Sequence, residues 1–205
     1  MKILVSGANG FVGQKVVRLL AGRGHDVFVL DLKDIGLFRD SSSCKFFPVD
    51  VSVPFTFKEK VDVVIHLAAH NVTHVGDALG SIYEKVNVRG TEYMISATAP
   101  CRFVFLSTVK VYKRQAGIMD EAAPLAPVGL YEQSKLQAED ICRRLVAPKD
   151  LVILRAVNII GSGQAEKAVV PVFFKKAFRH EPIEIFGPRR QCLQLLDVED
   201  AAQAL

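Results

Sequence analysis

The sequence of 205 residues predicts an α/β fold built on a doubly wound parallel sheet. Two observations predict this class. Short apolar runs alternate along the chain with stretches in which apolar residues recur at helical spacing. The first apolar run ends in a cluster of glycines, and most later runs end in small or acidic residues. Strands that alternate with helices in this way pair in parallel, because each helix carries the chain back across the sheet.

The first half of the chain contains four predicted strands and one predicted helix. A short apolar strand over 2–6 leads into a helix over 11–20. Val12, Val16 and Leu19 fall on one side of that helix, and the glycines at 22 and 24 end it. The three further strands are predicted over 26–30, which finishes at Asp31, over 45–49, which ends at Asp50, and over 61–67, which is followed by Ala68 and Ala69.

The second half of the chain continues the alternation. In order, the predicted elements are a helix over 82–98, a strand over 102–106 that ends at Ser107 and Thr108, a helix over 131–144 after a proline-rich loop, and a strand over 151–154. Beyond residue 160 the pattern loosens into a helix near 172–179, a short strand over 183–186 and a last segment over 197–205. We therefore predict a sheet domain over 1–160 and a small, apparently incomplete lobe over 161–205.

Composition limits the functional classes. Half of the residues are hydrophobic and 23% are charged, as in an ordinary globular protein. The net charge is +4, and the basic residues are scattered rather than gathered in the stripe of a nucleic-acid-binding protein. The first strand begins at Lys2, and no apolar run approaches the roughly 20 residues of a membrane span. A cytoplasmic protein that binds neither nucleic acid nor membrane is expected.

The four cysteines show no CxxC spacing. They stand at 44, 101, 142 and 192, where no pair has the separation of a metal or redox motif. Buried, reduced thiols are the expected state, which agrees with a cytoplasmic location.

Gly7, Gly10 and Gly13 form a GxxGxxG loop between the first strand and the first helix. Glycines at such a junction permit a tight turn and a close approach of the backbone to a pyrophosphate. The helix N-terminus then presents free N–H groups and its positive dipole end to the phosphates. The loop predicts that the 1–160 domain binds a dinucleotide. The alternative is a glycine turn that only joins the strand to the helix.

Asp31 lies at the end of the second strand. A carboxylate at this place accepts hydrogen bonds from ribose hydroxyls and repels a 2′-phosphate, which favours NAD over NADP. In the alternative interpretation Asp31 is a solvated turn residue.

Tyr131 and Lys135 are four residues apart and therefore lie on one face of a helix. A lysine ammonium beside a phenol stabilises the phenolate, so Lys135 is expected to lower the pKa of Tyr131 from its ordinary value of about 10. Such a pair suits a general acid/base that works on a sugar or alcohol hydroxyl. Tyr and Lys at this spacing occur on many surface helices, so the catalytic interpretation depends on the glycine loop at the start of the chain.

Taken together, these residues resemble the extended short-chain dehydrogenase/reductase family, and within it the NAD-dependent sugar-nucleotide epimerases and dehydratases. The motifs follow the family's order from Lys2 to Leu205. Besides the glycine loop and the Tyr-Lys pair they are Asp50-Val51, His66-Leu67-Ala68-Ala69, Asn87-Val88-Arg89-Gly90-Thr91, Leu106-Ser107-Thr108 and Val111-Tyr112.

The resemblance implies a Rossmann fold and an enzyme with three catalytic residues. Thr108 would hydrogen-bond the reacting sugar oxygen, Tyr131 would carry the proton at that oxygen, and Lys135 would bind the nicotinamide ribose. The implied cofactor-binding residues are Gly7, Asn9, Gly10, Phe11, Val12, Gly13, Asp31, Asp50, Val51, Leu67, Ala68, Ala69, Asn87, Ser107, Tyr131 and Lys135. The implied substrate-binding residues are Thr108, Asn158 and Pro171.

The histidines are assigned no metal. His66 is expected to be a strand-end residue with a satisfied ring, and His70 and His74 show no metal-ligand pattern with Asp or Cys.

The two residues after Thr108 favour epimerisation. Dehydratases of the family carry Thr-Asp-Glu where this chain has Thr108-Val109-Lys110. Val109 cannot transfer a proton and Lys110 has the opposite charge, so removal of water is disfavoured. The sequence therefore predicts an NAD-dependent epimerase of nucleotide sugars that works by transient hydride transfer between a sugar carbon and the nicotinamide.

Two departures from the family leave alternatives open. Leu193 stands where the family has an Arg that grips the substrate diphosphate, and Leu offers no donor. Arg189 or Arg190 could compensate; otherwise an NAD(P)-dependent alcohol dehydrogenase or ketoreductase on a non-nucleotide substrate fits better. The sequence ends at Leu205, early relative to the family, which leaves a non-catalytic dinucleotide-binding protein as a third alternative.

The resemblance also implies a homodimer. Family members often dimerise through the two helices that are predicted here near 82–98 and 131–144.

Overall fold

The computed structural model describes residues 1–71, 78–115, 119–185 and 193–205. Its main sheet has six parallel strands in the order β3-β2-β1-β4-β5-β6. Their bounds are β1 Lys2–Ser6, β2 Asp26–Asp31, β3 Cys44–Pro48, β4 Val63–His66, β5 Arg102–Thr108 and β6 Leu151–Ala156. The strand order reverses between β1 and β4, and in such sheets ligands bind at the carboxyl ends of the strands beside the reversal.

Among the described residues, six α-helices connect and cover the strands. Their bounds are α1 Phe11–Gly22, α2 Ala78–Tyr83, α3 Gly90–Thr98, α4 Leu130–Leu145, α5 Val169–Phe178 and α6 Val198–Ala204. A π-helical segment, Glu84–Arg89, joins α2 to α3, and short 3₁₀ turns lie at Val109–Val111 and Pro148–Asp150.

The four central strands, β2, β1, β4 and β5, are buried on both faces because they are apolar at successive positions. Leu4 and Phe103 belong to the core that α3 and α4 cover, together with Met94 of α3 and Ile141 of α4. The alternate strand residues Ile3, Val5 and Val104 belong to the opposite core, to which α1 contributes Val16 and Val17 and α6 contributes Ala202. This period of two along β1 places α4 on one face of the sheet and α1, which follows the glycine loop, on the other.

The predicted doubly wound sheet is confirmed, with all six strands present. The predicted helix over 82–98 begins earlier, at Ala78, and is interrupted by the π-helical segment. Apolar spacing alone does not distinguish a π turn from an α turn, and π turns are frequent at functional sites.

The region beyond residue 157 differs most from the sequence-based prediction. A two-stranded parallel sheet of β7, Asn158–Ile160, and β8, Leu195–Asp197, was not predicted, because three residues are too few for a periodic signal. The strand predicted over 183–186 is wrong for 183–185, which form no strand, and residue 186 lies outside the described residues. Helix α5 begins at Val169 rather than near 172.

Helix α6 packs against α1, although it lies beyond the predicted division at 160/161. Lys15 of α1 pairs with Glu199 of α6 at 2.6 Å. Asp197 caps α6 by accepting a 2.8 Å hydrogen bond from the Glu199 N–H. The division into two units stays a prediction.

The thiols of Cys44, Cys101 and Cys142 are free; Cys142 is buried, the other two are partly buried, and Cys192 lies outside the described residues. Among the helices that the structure describes, none combines the length and the apolarity that a membrane span needs.

Candidate active site

The glycine loop is folded tightly against the turn that follows β4. Gly7 has a positive φ of 66°, and a Cβ there would lie 2.7 Å from the Ala68 backbone nitrogen. A Cβ on Gly13 would collide with the Gly7 carbonyl oxygen, which is why helix α1 can start so close to β1. A side chain on Gly13 would therefore press on the loop, and one on Gly7 would press on the turn after β4.

The first turn of α1 keeps its N–H groups free of side-chain partners. Gly10 is the N-cap residue and supplies no capping hydrogen bond. Gly10 itself is exposed, so the helix N-terminus opens outward. Orphan N–H groups and the positive end of the helix dipole suit a phosphate. The loop and helix therefore fit the pyrophosphate of a dinucleotide.

Asp31 is fixed beside this loop. Its Oδ2 accepts a hydrogen bond of 2.9 Å from the Asn9 N–H, and its Oδ1 accepts one of 2.8 Å from the Leu32 N–H. Asn9 in turn donates from its amide to the Lys33 carbonyl at 2.7 Å. A carboxylate has about four acceptor positions, so Asp31 keeps capacity for ribose hydroxyls.

Thr108, Tyr131 and Lys135 are held at the same edge of the sheet. Thr108 is the last residue of β5, is 8% exposed, and its Oγ1 accepts a 3.3 Å hydrogen bond from the Lys110 N–H. Tyr131 and Lys135 lie in the first two turns of α4, which packs against β5. The structure thus brings the three predicted catalytic residues to neighbouring elements.

Lys135 is only 3% exposed. Its Nζ lies 4.0 Å from the centroid of the Phe105 ring, a cation–π contact with β5. Burial lowers the pKa of Lys135 from its ordinary 10.5 to about 7, because the charged form loses its hydration. The ammonium therefore exchanges its proton near neutral pH.

The pKa of Tyr131 moves in the direction opposite to the sequence-based expectation. Burial, with smaller contributions from the carboxylate of Glu132 and the neighbouring Tyr83, raises it to about 12. The Tyr83 and Tyr131 ring centroids are 6.2 Å apart. Lys135 is not among the groups that shift the pKa of Tyr131, and its ammonium lies over the Phe105 ring. In this geometry the phenol holds its proton.

Asn87, in the π-helical segment, ties the turn after β4 to the catalytic helix. Its Oδ1 accepts from the His70 N–H at 2.7 Å, and its Nδ2 donates to the His70 carbonyl at 3.0 Å. The second Nδ2 hydrogen goes to the Ser134 hydroxyl at 2.9 Å, and Ser134 donates to the Tyr131 carbonyl at 2.7 Å. Both amide hydrogens of Asn87 are therefore used inside the protein, and its predicted cofactor contact stays a prediction.

Glu139 binds α4 to the ends of β5 and β6. Its fully buried carboxylate accepts from the Ser107 hydroxyl at 2.6 Å, from Arg155 at 2.6 and 2.9 Å and from Arg143 at 2.7 Å. Burial would raise the pKa of Glu139, but the hydrogen bonds from Arg155, Ser107 and Arg143 outweigh it and hold the pKa below its usual value. The Ser107 hydroxyl is committed to this carboxylate, and its predicted role toward the cofactor stays a prediction.

The other predicted cofactor residues follow neighbouring strands. Asp50 closes the turn after β3 by accepting a 2.8 Å hydrogen bond from the Ser52 N–H. Val51 is buried and packs closely on Gly90 at the start of α3. A Cβ added to Gly90 would lie only 3.1 Å from the Val51 carbonyl oxygen. Leu67 and Ala68 donate their backbone N–H groups to the Ser6 hydroxyl at 3.2 and 3.3 Å.

The predicted substrate residues Asn158 and Pro171 lie in β7 and α5, on elements other than those that carry the three predicted catalytic residues. Asn158 begins β7 and donates to the Gln194 carbonyl at 3.2 Å, on the wall of a cavity of about 1220 Å³. Pro171 lies in the first turn of α5. Backbone N–H groups in a first turn have no partner within the helix, so the missing N–H of proline costs no hydrogen bond there. No hydrogen bond between described residues joins either one to Thr108, Tyr131 or Lys135. Arg189 and Arg190 lie outside the described residues.

Sequence reasoning missed five residues that shape this region: Ser6, Thr91, Ser134, Glu139 and Arg155. One signal was available, because Tyr131, Lys135, Glu139 and Arg143 repeat at intervals of four along one helix face. No group of three or more His, Cys, Asp or Glu side chains suited to a metal ion occurs among the described residues, and His74 lies outside them.

Comparison with known sequences gives one family. The model of the NAD dependent epimerase/dehydratase family matches residues 3–205. A dTDP-glucose 4,6-dehydratase of Streptomyces niveus is 27% identical over 229 residues, covering 100% of this chain and 68% of that protein. An uncharacterized UDP-glucose epimerase, YtcB of Bacillus subtilis strain 168, is 26% identical, covering 100% of this chain and 71% of its own. Relatives named for both reactions are therefore similar to this chain.

Comparison with solved structures gives the same fold. The structure of MoeE5 in complex with UDP-glucuronic acid and NAD superposes with a TM-score of 0.85 at 26% identity, over 100% of this chain and 70% of that one. UDP-glucuronic acid 4-epimerase from Bacillus cereus, in complex with UDP-glucuronic acid and NAD, gives a TM-score of 0.82 at 25% identity, over 99% of this chain and 71% of that one.

Proposed function

The chain belongs to the NAD-dependent epimerase/dehydratase family of extended short-chain dehydrogenase/reductase enzymes, and from this premise we propose that it epimerises a nucleotide sugar. NAD, the cofactor of the family, fits the cradle formed by the glycine loop, the uncapped start of α1 and Asp31. The observation that carries the choice of reaction is that Thr108 is followed by Val109 and Lys110 beside Tyr131, with no carboxylate at either position.

Removal of water needs a proton donor and a proton acceptor in addition to the redox pair. Val109 has no titratable group, and Lys110 is exposed and cationic. Epimerisation needs only a group that takes and returns the proton of the reacting hydroxyl, and a carbon that gives and regains hydride. The residues present are sufficient for that reaction.

Each catalytic side chain has a role in this proposal. NAD, when bound, supplies the hydride acceptor and the positive charge of an oxidised nicotinamide. Thr108 hydrogen-bonds the sugar hydroxyl and so orients it toward the phenol of Tyr131. With NAD bound, whose positive charge favours loss of the phenol proton to solvent, the Tyr131 phenolate would accept the hydroxyl proton during oxidation and return it when the sugar ketone is reduced on its other face. Lys135, buried beside β5, would bind the nicotinamide ribose.

Burial of this site supports the same chemistry. Thr108 and Lys135 are 8% and 3% exposed, so water is largely excluded around them. Exclusion of water strengthens each electrostatic contact to the reacting oxygen and protects an oxidised sugar from side reactions.

Product analysis tests the proposal. The purified protein, loaded with NAD, is incubated with UDP- and dTDP-linked hexoses and hexuronic acids, and the products are separated by chromatography. We expect one epimeric pair to interconvert without net NADH, and Tyr131→Phe to abolish the interconversion. Failure of a folded, NAD-loaded protein to turn over any sugar of the panel would overturn the proposal.

A second candidate is an NAD(P)-dependent alcohol dehydrogenase or ketoreductase. Leu193 favours it, because this apolar side chain is 56% exposed where an Arg would grip a diphosphate. Stoichiometric NADH formed with an alcohol would identify this activity, since epimerisation returns its hydride and forms none.

We also propose that the protein is a homodimer that pairs through α3 and α4. Leu130 and Leu145, at the two ends of α4, are 53% and 42% exposed and offer apolar area to a second copy. Light scattering after size exclusion should give twice the chain mass for the wild type. A monomeric wild type at micromolar concentration would overturn the dimer.

A further inference from the structure

Three buried side chains form a continuous hydrogen-bonded row beneath the glycine loop. The hydroxyl of Ser6, at the end of β1, lies 2.6 Å from Nδ1 of His66, at the end of β4. Nε2 of His66 lies 3.1 Å from the Oγ1 of Thr91, in α3. All three residues are 0% exposed. The row of three side chains therefore runs from β1 through β4 to α3, and none of its members is exposed to solvent.

One assignment of protons satisfies every partner in this row. Thr91 donates its only hydroxyl proton to the Asn87 carbonyl at 2.7 Å, so its oxygen can only accept from His66. Nε2 of His66 must then carry a proton. Burial, with the nearby charge of Lys135, lowers the pKa of His66 to about 3, so the ring is neutral and its Nδ1 is an acceptor. Ser6 must therefore donate to Nδ1.

The orientation of the Ser6 hydroxyl has a consequence for the cofactor cradle. Because its proton points to His66, its lone pairs face the N–H groups of Leu67 and Ala68, which donate at 3.2 and 3.3 Å. The Ala68 backbone is the surface on which Gly7 packs, where a Cβ would approach to 2.7 Å. If the Ser6 hydroxyl pointed the other way, its proton would face the N–H donors of Leu67 and Ala68. Donors that face each other repel, so the turn after β4 would move away from the glycine loop.

We propose that Thr91 and His66 are positioning residues for the dinucleotide: they fix the proton of Ser6 and thereby the Ser6–Gly7 turn against Ala68. The inference rests on the proposed function, since it assigns the cradle to NAD. Neither residue needs to touch the cofactor. The π-helical segment that leads directly into α3 carries Asn87, which holds His70 and, through Ser134, helix α4, so one continuous backbone segment positions both halves of the site.

A set of threonine variants tests this. Thr91→Val keeps the shape but removes both the acceptor for His66 and the donor to Asn87, whereas Thr91→Ser keeps both. Thr98→Val is the matched control, because Thr98 makes the same kind of bond, to the Met94 carbonyl at 2.7 Å, at the far end of α3. The dissociation constant for NAD is measured by titration calorimetry on each folded protein.

We expect Thr91→Val to weaken NAD binding about tenfold, since a buried donor loses its partner. Thr91→Ser should restore the affinity to within about twofold of the wild type, and Thr98→Val should lose stability without losing affinity. Equal NAD affinities in Thr91→Val and Thr98→Val would overturn the inference. A wild type that does not bind NAD would instead overturn the proposed function, and the inference with it.

The tautomer of His66 gives a second, independent readout. Nitrogen NMR of the wild-type ring should show a neutral imidazole protonated at Nε2, with a cross-peak pattern that Thr91→Val changes and Thr98→Val does not. A ring protonated at Nδ1 would overturn the inference even if Thr91→Val fails to fold.

Discussion

Lys135, one turn of α4 after Tyr131, places its ammonium 4.0 Å from the centroid of the Phe105 ring. The ring face compensates part of the lost hydration of the cation. The two residues of the Tyr131–Lys135 pair therefore have different neighbours. The Lys135 ammonium contacts the sheet, and the Tyr131 ring lies near the ring of Tyr83. Their pKa values are set by burial rather than by each other.

The first prediction concerns ionisation of Tyr131 in the protein free of dinucleotide. Burial raises its pKa to about 12, so a difference titration of wild type against Tyr131→Phe should find its phenolate only at strongly alkaline pH. Addition of NAD should lower the pKa, because a positive charge favours the phenolate. Ionisation near neutral pH without NAD would contradict the geometry of Lys135.

Burial of Lys135 gives the second prediction. Its pKa is about 7 in the fold and 10.5 ordinarily, so above pH 7 the unfolded chain binds one proton more. The free energy of unfolding should therefore rise relative to Lys135→Met by up to about 1.4 kcal/mol per pH unit between about pH 7 and 9. Urea unfolding at several pH values measures this difference. A constant difference across that range would show that the ammonium is not desolvated.

The third prediction is an acid-sensitive loss of stability due to His66. Its pKa is about 3 in the fold against 6.5 ordinarily, so below pH 6.5 the unfolded chain takes up a proton that the folded chain refuses. Stability should fall by up to about 1.4 kcal/mol per pH unit as the pH drops from about 6.5 to 4.5. His66→Gln should reduce this slope. An unchanged slope in the variant would assign the acid sensitivity to other groups.

The fourth prediction concerns Glu139. Glu139→Gln leaves Arg155, 14% exposed at its side chain, without its counter-charge and should lower the free energy of unfolding by about 3 kcal/mol. Asp140→Asn is the matched control on the same helix, because Asp140 pairs with Arg143 at 3.2 Å but is 70% exposed. Its effect should stay below about 0.5 kcal/mol. The free energy of unfolding is measured by urea unfolding. Similar losses in the two variants would show that the buried carboxylate of Glu139 does not hold α4 to β5 and β6.

The local features of the site could be predicted from the sequence. Gly7 could be predicted because its positive φ favours glycine, and Gly13 because its close contact with the loop leaves no room for a side chain. Asp31 could be predicted because it ends an apolar run. The Tyr131–Lys135 spacing follows from helix periodicity. Each of these depends on residues that are near in sequence.

The features that the sequence did not reveal depend on distant pairs. Ser6 meets His66 across 60 positions and Ser107 meets Glu139 across 32, and no periodic pattern encodes such partners. The position of Lys135 over Phe105 also follows from packing, which is why the expected effect of Lys135 on the pKa of Tyr131 was wrong. β7 and β8 are too short to leave a pattern.

The most direct measurement of the proposed reaction follows the hydride. A nucleotide sugar carrying deuterium on the carbon of the reacting hydroxyl is incubated with the NAD-loaded protein, and the products are examined by NMR and mass spectrometry. The proposal predicts an epimeric sugar that keeps its deuterium on the same carbon, with no net NADH. A dehydrated keto-deoxy sugar, or an oxidised product formed with an equal amount of NADH, would contradict it.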